Sequence, residues 1–351
     1  MTAKHNCRKQ SSSPNLQRMD LFALTVAESD LHPNFRRLID RHSEADRQVI
    51  AQWAEGFVDR DGKFVREFQT TFNSGFWELY LFACCKQLQF SVNFGFPSPD
   101  FVIENFHQEF CIEAVTASNA RGEEPEWERD LSKRLPDVEA VLDTAVIRLS
   151  NAISSKYRKY LDHYQIMRHV RSRPFVLAVA PFEQPYFWIT NDHAIRQVLY
   201  GYDRVSPNGG YNFRKSICKP TGAGIELGLF ASARMPEISA ILYSNTATMS
   251  KVHALNTNDY GEMMWFSALR FNHYGKEAFL QNATKSNYHE SLLDGLYLFH
   301  NPHATYPIPP NYFGDQDITQ ATLVENDPVP KYRCKHGHLI QRTSLQGRPR
   351  D

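Results

Sequence analysis

Three acidic residues stand where the chain otherwise places apolar side chains. Glu78 is the only ionisable residue from Gly75 through Cys85 in "GFWELYLFACC". Asp100 opens the run "DFVIEN" (100–105), and Glu113 sits in the middle of "EFCIEAVTA" (109–117). Carboxylates forced together raise one another's pKa unless they are solvated, protonated or shared by a cation. Their oxygens are the ligands that Mg²⁺ or Mn²⁺ prefers. An ion held there would polarise a phosphate and make a nucleophile of a bound water.

Bringing the three together makes demands on the elements that carry them. The two β-like runs flank the short polar turn "FHQ". A hairpin closing on Glu104 and Glu109 puts Asp100 directly opposite Glu113. Opposed residues have β-carbons about 4.5–5.5 Å apart, and like charges there repel. Glu78 lies on a helix predicted over 74–89, sharing a face with Leu81, Phe82 and Cys85. A helix this apolar is buried, so its carboxylate must neutralise or find a partner. Plainer readings stand beside these: Asp100 and Glu113 as solvated strand-end acids, and Glu78 paired with an arginine from elsewhere.

Periodicity supplies the rest of the frame. A helix fits 44–57 and is broken by "DRDGKF" (59–64). Strands are expected at 90–94, 100–105 and 109–117, and a long helix at 137–165. The apolar run "FVLAVAPF" (175–182) reads as a central strand buried on both faces. Further on, a helix is expected near 192–200 and strands at 224–232, 237–245 and 262–272. Residues 1–18 are polar and serine-rich, expected to be disordered. One domain is expected over 44–325, with its core at about 70–185. A basic tail follows over 331–351.

A buried helical Glu, then Pro99–Asp100, then a Glu in the next strand resembles the PD-(D/E)XK nuclease superfamily. "WELYLFA" (77–83), "PDFVIE" (99–104), "IEAVTAS" (112–118), "PFVLAVAPF" (174–182), "ISAILYSN" (238–245) and "FHNPHATYPIPP" (299–310) make it similar to a group of uncharacterised bacterial restriction-endonuclease-like proteins of similar length. The resemblance covers roughly residues 70 to 315. It implies an α/β restriction-endonuclease-like core of helix, three strands, helix and strand, with a mixed central sheet and a C-terminal extension. It further implies a metal-dependent nuclease acting on phosphodiester bonds, DNA first, with Glu78, Asp100 and Glu113 holding Mg²⁺ or Mn²⁺.

The superfamily pattern has a lysine two residues after the second acid. This chain has Val115 there. Lys156, one turn from Tyr160 in "SKYRKY", is the expected replacement, with Lys86 and Lys159 as rivals. From Lys156 to Arg173 the chain carries six Lys or Arg and one acid, Asp162. That run would contact phosphates, with Tyr157, Tyr160 and Tyr164 able to stack on bases or simply to pack. Val115 also motivates the alternative, a catalytically inactive nuclease fold that still binds nucleic acid.

Composition narrows the classes. Formal net charge is zero, so any nucleic-acid contact needs a local patch. Six cysteines without framework spacing, no secretory signal and no membrane-length apolar run indicate a reduced cytoplasmic protein with no membrane partner. "TGAGIELG" lacks the ending of a phosphate loop. "CKHGH" (Cys334, His336, His338) is an incomplete zinc set, and His300 and His303 fit an ordered loop. A homodimer is compatible with all of this.

Overall fold

The computed structural model describes residues 19–104, 109–119, 122–128, 137–182, 184–205, 208, 210–258, 263–272, 277–314, 317–325 and 327–347. Helices α1 (Pro33–Leu38), α2 (Glu44–Ala54), α3 (Phe64–Thr70) and α4 (Asn73–Gln87) come first. The hairpin β1 (Phe101–Glu104) and β2 (Glu109–Thr116) follows, then α5 (Val138–Lys159) and β3 (Phe175–Ala180). Next are α6 (His193–Tyr200), the short strands β4 (Tyr202–Val205), β5 (Tyr211–Phe213), β6 (Ser216–Cys218) and β7 (Gly224–Glu226), then β8 (Ala240–Tyr243) and α7 (Met249–Leu255). The chain ends in β9 (Met264–Phe271), β10 (Ala278–Thr284), β11 (Tyr297–His300), β12 (Thr319–Val324), β13 (Asp327–Arg333) and β14 (Leu339–Gln346).

Seven strands form one mixed sheet, in the order β1-β2-β3-β8-β11-β12-β13. Strands β2, β3 and β8 run parallel at its centre, and β1 is antiparallel at one edge. The period of two divides the buried side chains between two layers. Phe110, Ile112, Ala114, Val176 and Ala178 pack with α2, α3 and α4. Cys111, Phe175, Leu177 and Val179 pack with α5 and α6. Being buried on both sides, β3 carries no polar residue, as its sequence required.

Two helices matter most for the site. The α4 helix is apolar nearly all round and is buried accordingly. The Trp77 indole Nε1 donates to the Ala178 carbonyl of β3 at 3.1 Å and fixes its rotation. Asp137 caps α5 by accepting from the Glu139 amide. Lys156, Arg158 and Lys159 in its last turn suit the negative end of the helix dipole. A single π-turn, Tyr160–Tyr164, continues the chain.

The second sheet, β10-β9-β14, docks through buried charge. Glu290 meets Lys251, Arg342 (2.5 Å) and the Tyr288 hydroxyl (2.7 Å). Arg270 pairs with Asp294 at 2.6 Å. Burial alone would raise the Glu290 carboxyl, but Arg342 and Lys251 outweigh it and hold the pKa below the usual range.

The architecture is mixed α/β, as expected, with three differences. Residues 90–94 do not form a strand: they meet β1 through one bridge, Val92 to Ile103, because Asn93 turns its side chain onto Glu104 and Gly95. The run 224–232 is strand only over Gly224–Glu226, after which Gly228 at φ +75° turns the chain. The described part of the basic tail, 331–347, is folded into β13 and β14, since Leu339 and Ile340 are buried and the charge of Arg342 is neutralised by Glu290. Residues 1–18 lie outside the described residues.

Replacing Glu290 by alanine would leave two buried cations without their acid. The expected cost is about 3–5 kcal/mol, read as a lower midpoint in urea unfolding. A loss below about 1 kcal/mol, the level of a surface pair, would show that the network does not hold the second sheet.

Candidate functional site

The hairpin register is the one the acid spacing requires. Phe101 pairs with Ile112 and Glu104 with Glu109. Asp100, one residue before β1, therefore stands across from Glu113, and its Oδ2 accepts from the Ala114 amide at 2.7 Å. That bond fixes the carboxylate at the edge of the sheet.

Strand alternation turns Glu113 toward α5, between Cys111 and Val115. It is 1 % exposed. Two ammonium groups from α5 reach it: Lys156 Nζ lies 2.6 Å and Lys159 Nζ 3.1 Å from the same oxygen, Oε1. The spacing of three puts both lysines on one helix face. The other oxygen, Oε2, is buried and has no hydrogen-bond partner. Behind it lies the buried Tyr164 hydroxyl, whose pKa is pushed up by burial and then by the Glu113 charge. Lys159 also sits 4.8 Å above the Tyr164 ring.

Glu78 arrives from α4, on the opposite layer. It is half-buried. Its pKa is raised well above the carboxylate range, first by burial and then by the charge of Asp100, with a smaller push from Glu113. Asp100 is raised to about 6, by burial first and by Glu113 second, against weaker pulls from Lys156, the Ala114 amide and Arg60. Arg60 spans the entrance: it donates to the Phe96 and Pro99 carbonyls at 2.9 and 3.1 Å and lies 3.9 Å from Asp100 Oδ1.

The three acids thus share one electrostatic field. Among the described residues, however, no group of three or more His, Cys, Asp or Glu side chains is gathered to hold a metal ion. The alternation explains the difference from the expected three-acid cluster: Glu113 faces the α5 layer while Glu78 belongs to α4.

Comparison with protein-family models, curated proteins and solved structures found no match for this chain.

Asp100 and Glu113 leave two carboxylates across from one another at the sheet edge. Mg²⁺ is commonly held by one or two carboxylates, with waters and substrate phosphates completing its shell. Glu113 Oε2 is a buried acceptor with the Tyr164 hydroxyl as its neighbour, and Asp100 Oδ1 has only the distant Arg60.

The other residues singled out in the sequence go elsewhere. Lys86 donates to the Gln52 and Glu55 carbonyls and closes the end of α2. The tyrosines do not present stacking faces: Tyr160 and Tyr164 are buried against Phe175, and the Tyr157 hydroxyl bonds Glu237. His300 is buried beside Gln320, and His338 beside the Asp317 carbonyl. Cys334 reaches the Asn272 carbonyl. Half of the basic run is already engaged: Lys156 and Lys159 on Glu113, and Arg173 on Glu104 and Glu109. Arg158, Arg168 and Arg171 are exposed and make no ion pair among the described residues.

Sequence reasoning missed Arg60. It lies in the polar break after the first long helix, and nothing local marks its side chain as reaching Asp100.

The raised Asp100 pKa carries a stability sign. A carboxyl that ionises near 6 when folded and near 3.8 when free binds its proton more tightly in the fold, so its contribution falls as pH rises through that window. Asp100→Asn keeps an acceptor for Ala114 and removes the buried charge. It should be more stable than wild type at pH 7.5 by on the order of 1–3 kcal/mol, with the gap closing toward pH 4. Urea unfolding at the two pH values checks this; an equal gap at both would remove Asp100 as the titrating group.

Proposed function

We propose that the protein is a metal-dependent phosphodiesterase acting on nucleic acid, with DNA the leading substrate. The observation that supports it most is the carboxylate pair at the sheet edge: Asp100 opposite a buried Glu113, beside two lysines. Asp100 and Glu113 would hold Mg²⁺. When bound, such an ion polarises the scissile phosphate and lowers the pKa of the attacking water.

The chain's own groups supply the remainder. Lys156 can turn its ammonium from Glu113 toward the negative charge that develops on the phosphate oxygens. Lys159, more exposed, is the second cation in reach. Glu78 keeps its proton to unusually high pH, and a nearby positive charge would release it. Arg158, Arg168 and Arg171 continue the positive surface along which a phosphate backbone would lie.

A second reading draws on a specific observation. Both ammoniums already neutralise one oxygen of Glu113, and Val115 occupies the position of the motif lysine. A catalytically inactive nuclease fold that retains strands through its arginines would look the same.

Supercoiled plasmid separates the two. The enzyme should nick it in Mg²⁺, and Asp100→Ala and Glu113→Gln should each lower the rate by about 10²-fold or more. Wild type nicking no faster than Asp100→Ala would end the hydrolase reading. Gel shifts that ignore both Mg²⁺ and Asp100 would then favour the binding protein. In either case Arg168→Ala or Arg171→Ala should flatten the salt dependence, by about 0.9 in log–log slope for each duplex phosphate no longer neutralised; unchanged slopes would place the nucleic acid elsewhere.

Cation uptake should also release protons, because Asp100 and Glu78 are both raised. Calorimetric titration of Mg²⁺ in two buffers of different ionisation enthalpy reads this directly. Identical heats would mean that these carboxyls do not meet the ion.

A further inference from the structure

A cavity of about 420 Å³ opens away from the acid pair, where the helical layer, the main sheet and β14 meet. It lies beyond the C-terminal ends of two parallel strands. Phe182 follows β3 by two residues and Asn245 follows β8 by two, and both line it. In open α/β sheets this crevice is where ligands are usually held. Glu78, Asp100 and Glu113 are not among its walls.

Its chemistry is specific. Asn245 is 1 % exposed, yet neither its Oδ1 nor its Nδ2 has a hydrogen-bond partner. Whichever way the carboxamide is turned, it therefore presents one free acceptor and one free donor side by side. Asn73, also buried on this wall, accepts from Asn34 with Oδ1 and leaves Nδ2 unpartnered. Natural proteins rarely leave such groups unsatisfied, and each instance asks for a missing partner. Around these amides stand the aromatic side chains Phe76, Phe182, Phe187 and Trp188.

The backbone is strained at the same place. Phe72, on the wall, holds φ +43° and ψ −65°. Tyr186, which introduces Phe187 and Trp188, holds φ +59°. Non-glycine residues in these conformations cluster at ligand clamps.

We infer that this cavity binds a nucleobase, its ring stacked among the aromatic side chains and its polar edge read by Asn245 with Asn73 adding a donor. Every base has a π-face, and its hydrogen-bonding edge sets donors beside acceptors. The volume, at the low end for small-molecule pockets, suits a nucleoside and not a duplex. The Asp46 carboxylate on the wall accepts from the Asn256 side-chain amide at 2.7 Å and lies 3.3 Å from His253 Nε2. The two amides themselves call for a neutral, polar edge on the ligand, and Arg37, Glu126 and Arg342 also line the cavity. This site is independent of the proposed hydrolysis.

The test uses the full chain. Adenosine, guanosine, cytidine and uridine form one arm and a ten-nucleotide mixed single strand the other, followed by tryptophan fluorescence and calorimetry. At least one probe should saturate and quench emission. Saturation by nucleosides alone assigns a free nucleoside ligand, and saturation by the strand alone assigns a splayed base; both support the site. Asn245→Leu should weaken binding on the order of tenfold, as loss of its paired hydrogen bonds requires, while raising the melting temperature of the unliganded protein. Trp188→Leu, at a half-exposed position, should weaken it similarly and serves if Asn245→Leu does not fold. No saturation of wild type by any probe, or unchanged affinity in the folded variants, would overturn the inference.

Discussion

The register of one hairpin governs the candidate site. Because side chains alternate with a period of two, a slip of one residue between β1 and β2 would send Glu113 into the α4 layer and out of reach of Lys156 and Lys159. The register is held from both ends. Phe110 and Ile112 are buried on one face and Cys111 on the other. At the open end Asp100 accepts from the Ala114 amide. The same bond both sets the strands and aims a carboxylate, so the site's geometry and the sheet's edge cannot be separated.

Burial then decides the electrostatics. The Glu113 side chain is almost wholly enclosed, a setting in which a carboxylate requires close counter-charge, and α5 supplies two ammoniums on one face. They leave Oε2 unpartnered and Asp100 above its ordinary pKa. A lysine at position 115 would share the face of Glu113, a region already filled by the side chains of α5.

The C-terminal half does more than extend the sheet. The Glu290 and Arg270 networks bring a second sheet against α7 and the main sheet, and β14 thereby becomes one wall of the aromatic cavity. Arg342, which the sequence shows only as part of a basic terminal stretch, is in the fold a buried fastening. A domain read only from residues 70 to 185 would lack that wall altogether.

Some features were determined by the chain locally. Alternation in "EFCIEAV", the unbroken apolar run of β3 and the uniformly apolar α4 depend on neighbours two to four residues apart, and the hairpin pairing that sets Asp100 across from Glu113 follows from them. Other features depend on which layer an element joins, and no local pattern carries that information. The segment 90–94 has the residues of a strand but meets β1 at a single bridge. Glu78 lies on the correct helix, yet that helix covers the face opposite Glu113. Arg60, the packed tyrosines and the unpartnered Asn245 gained their settings from residues tens to hundreds of positions away. Sequence determines what each segment prefers; only packing the layers against one another decides which preferences meet.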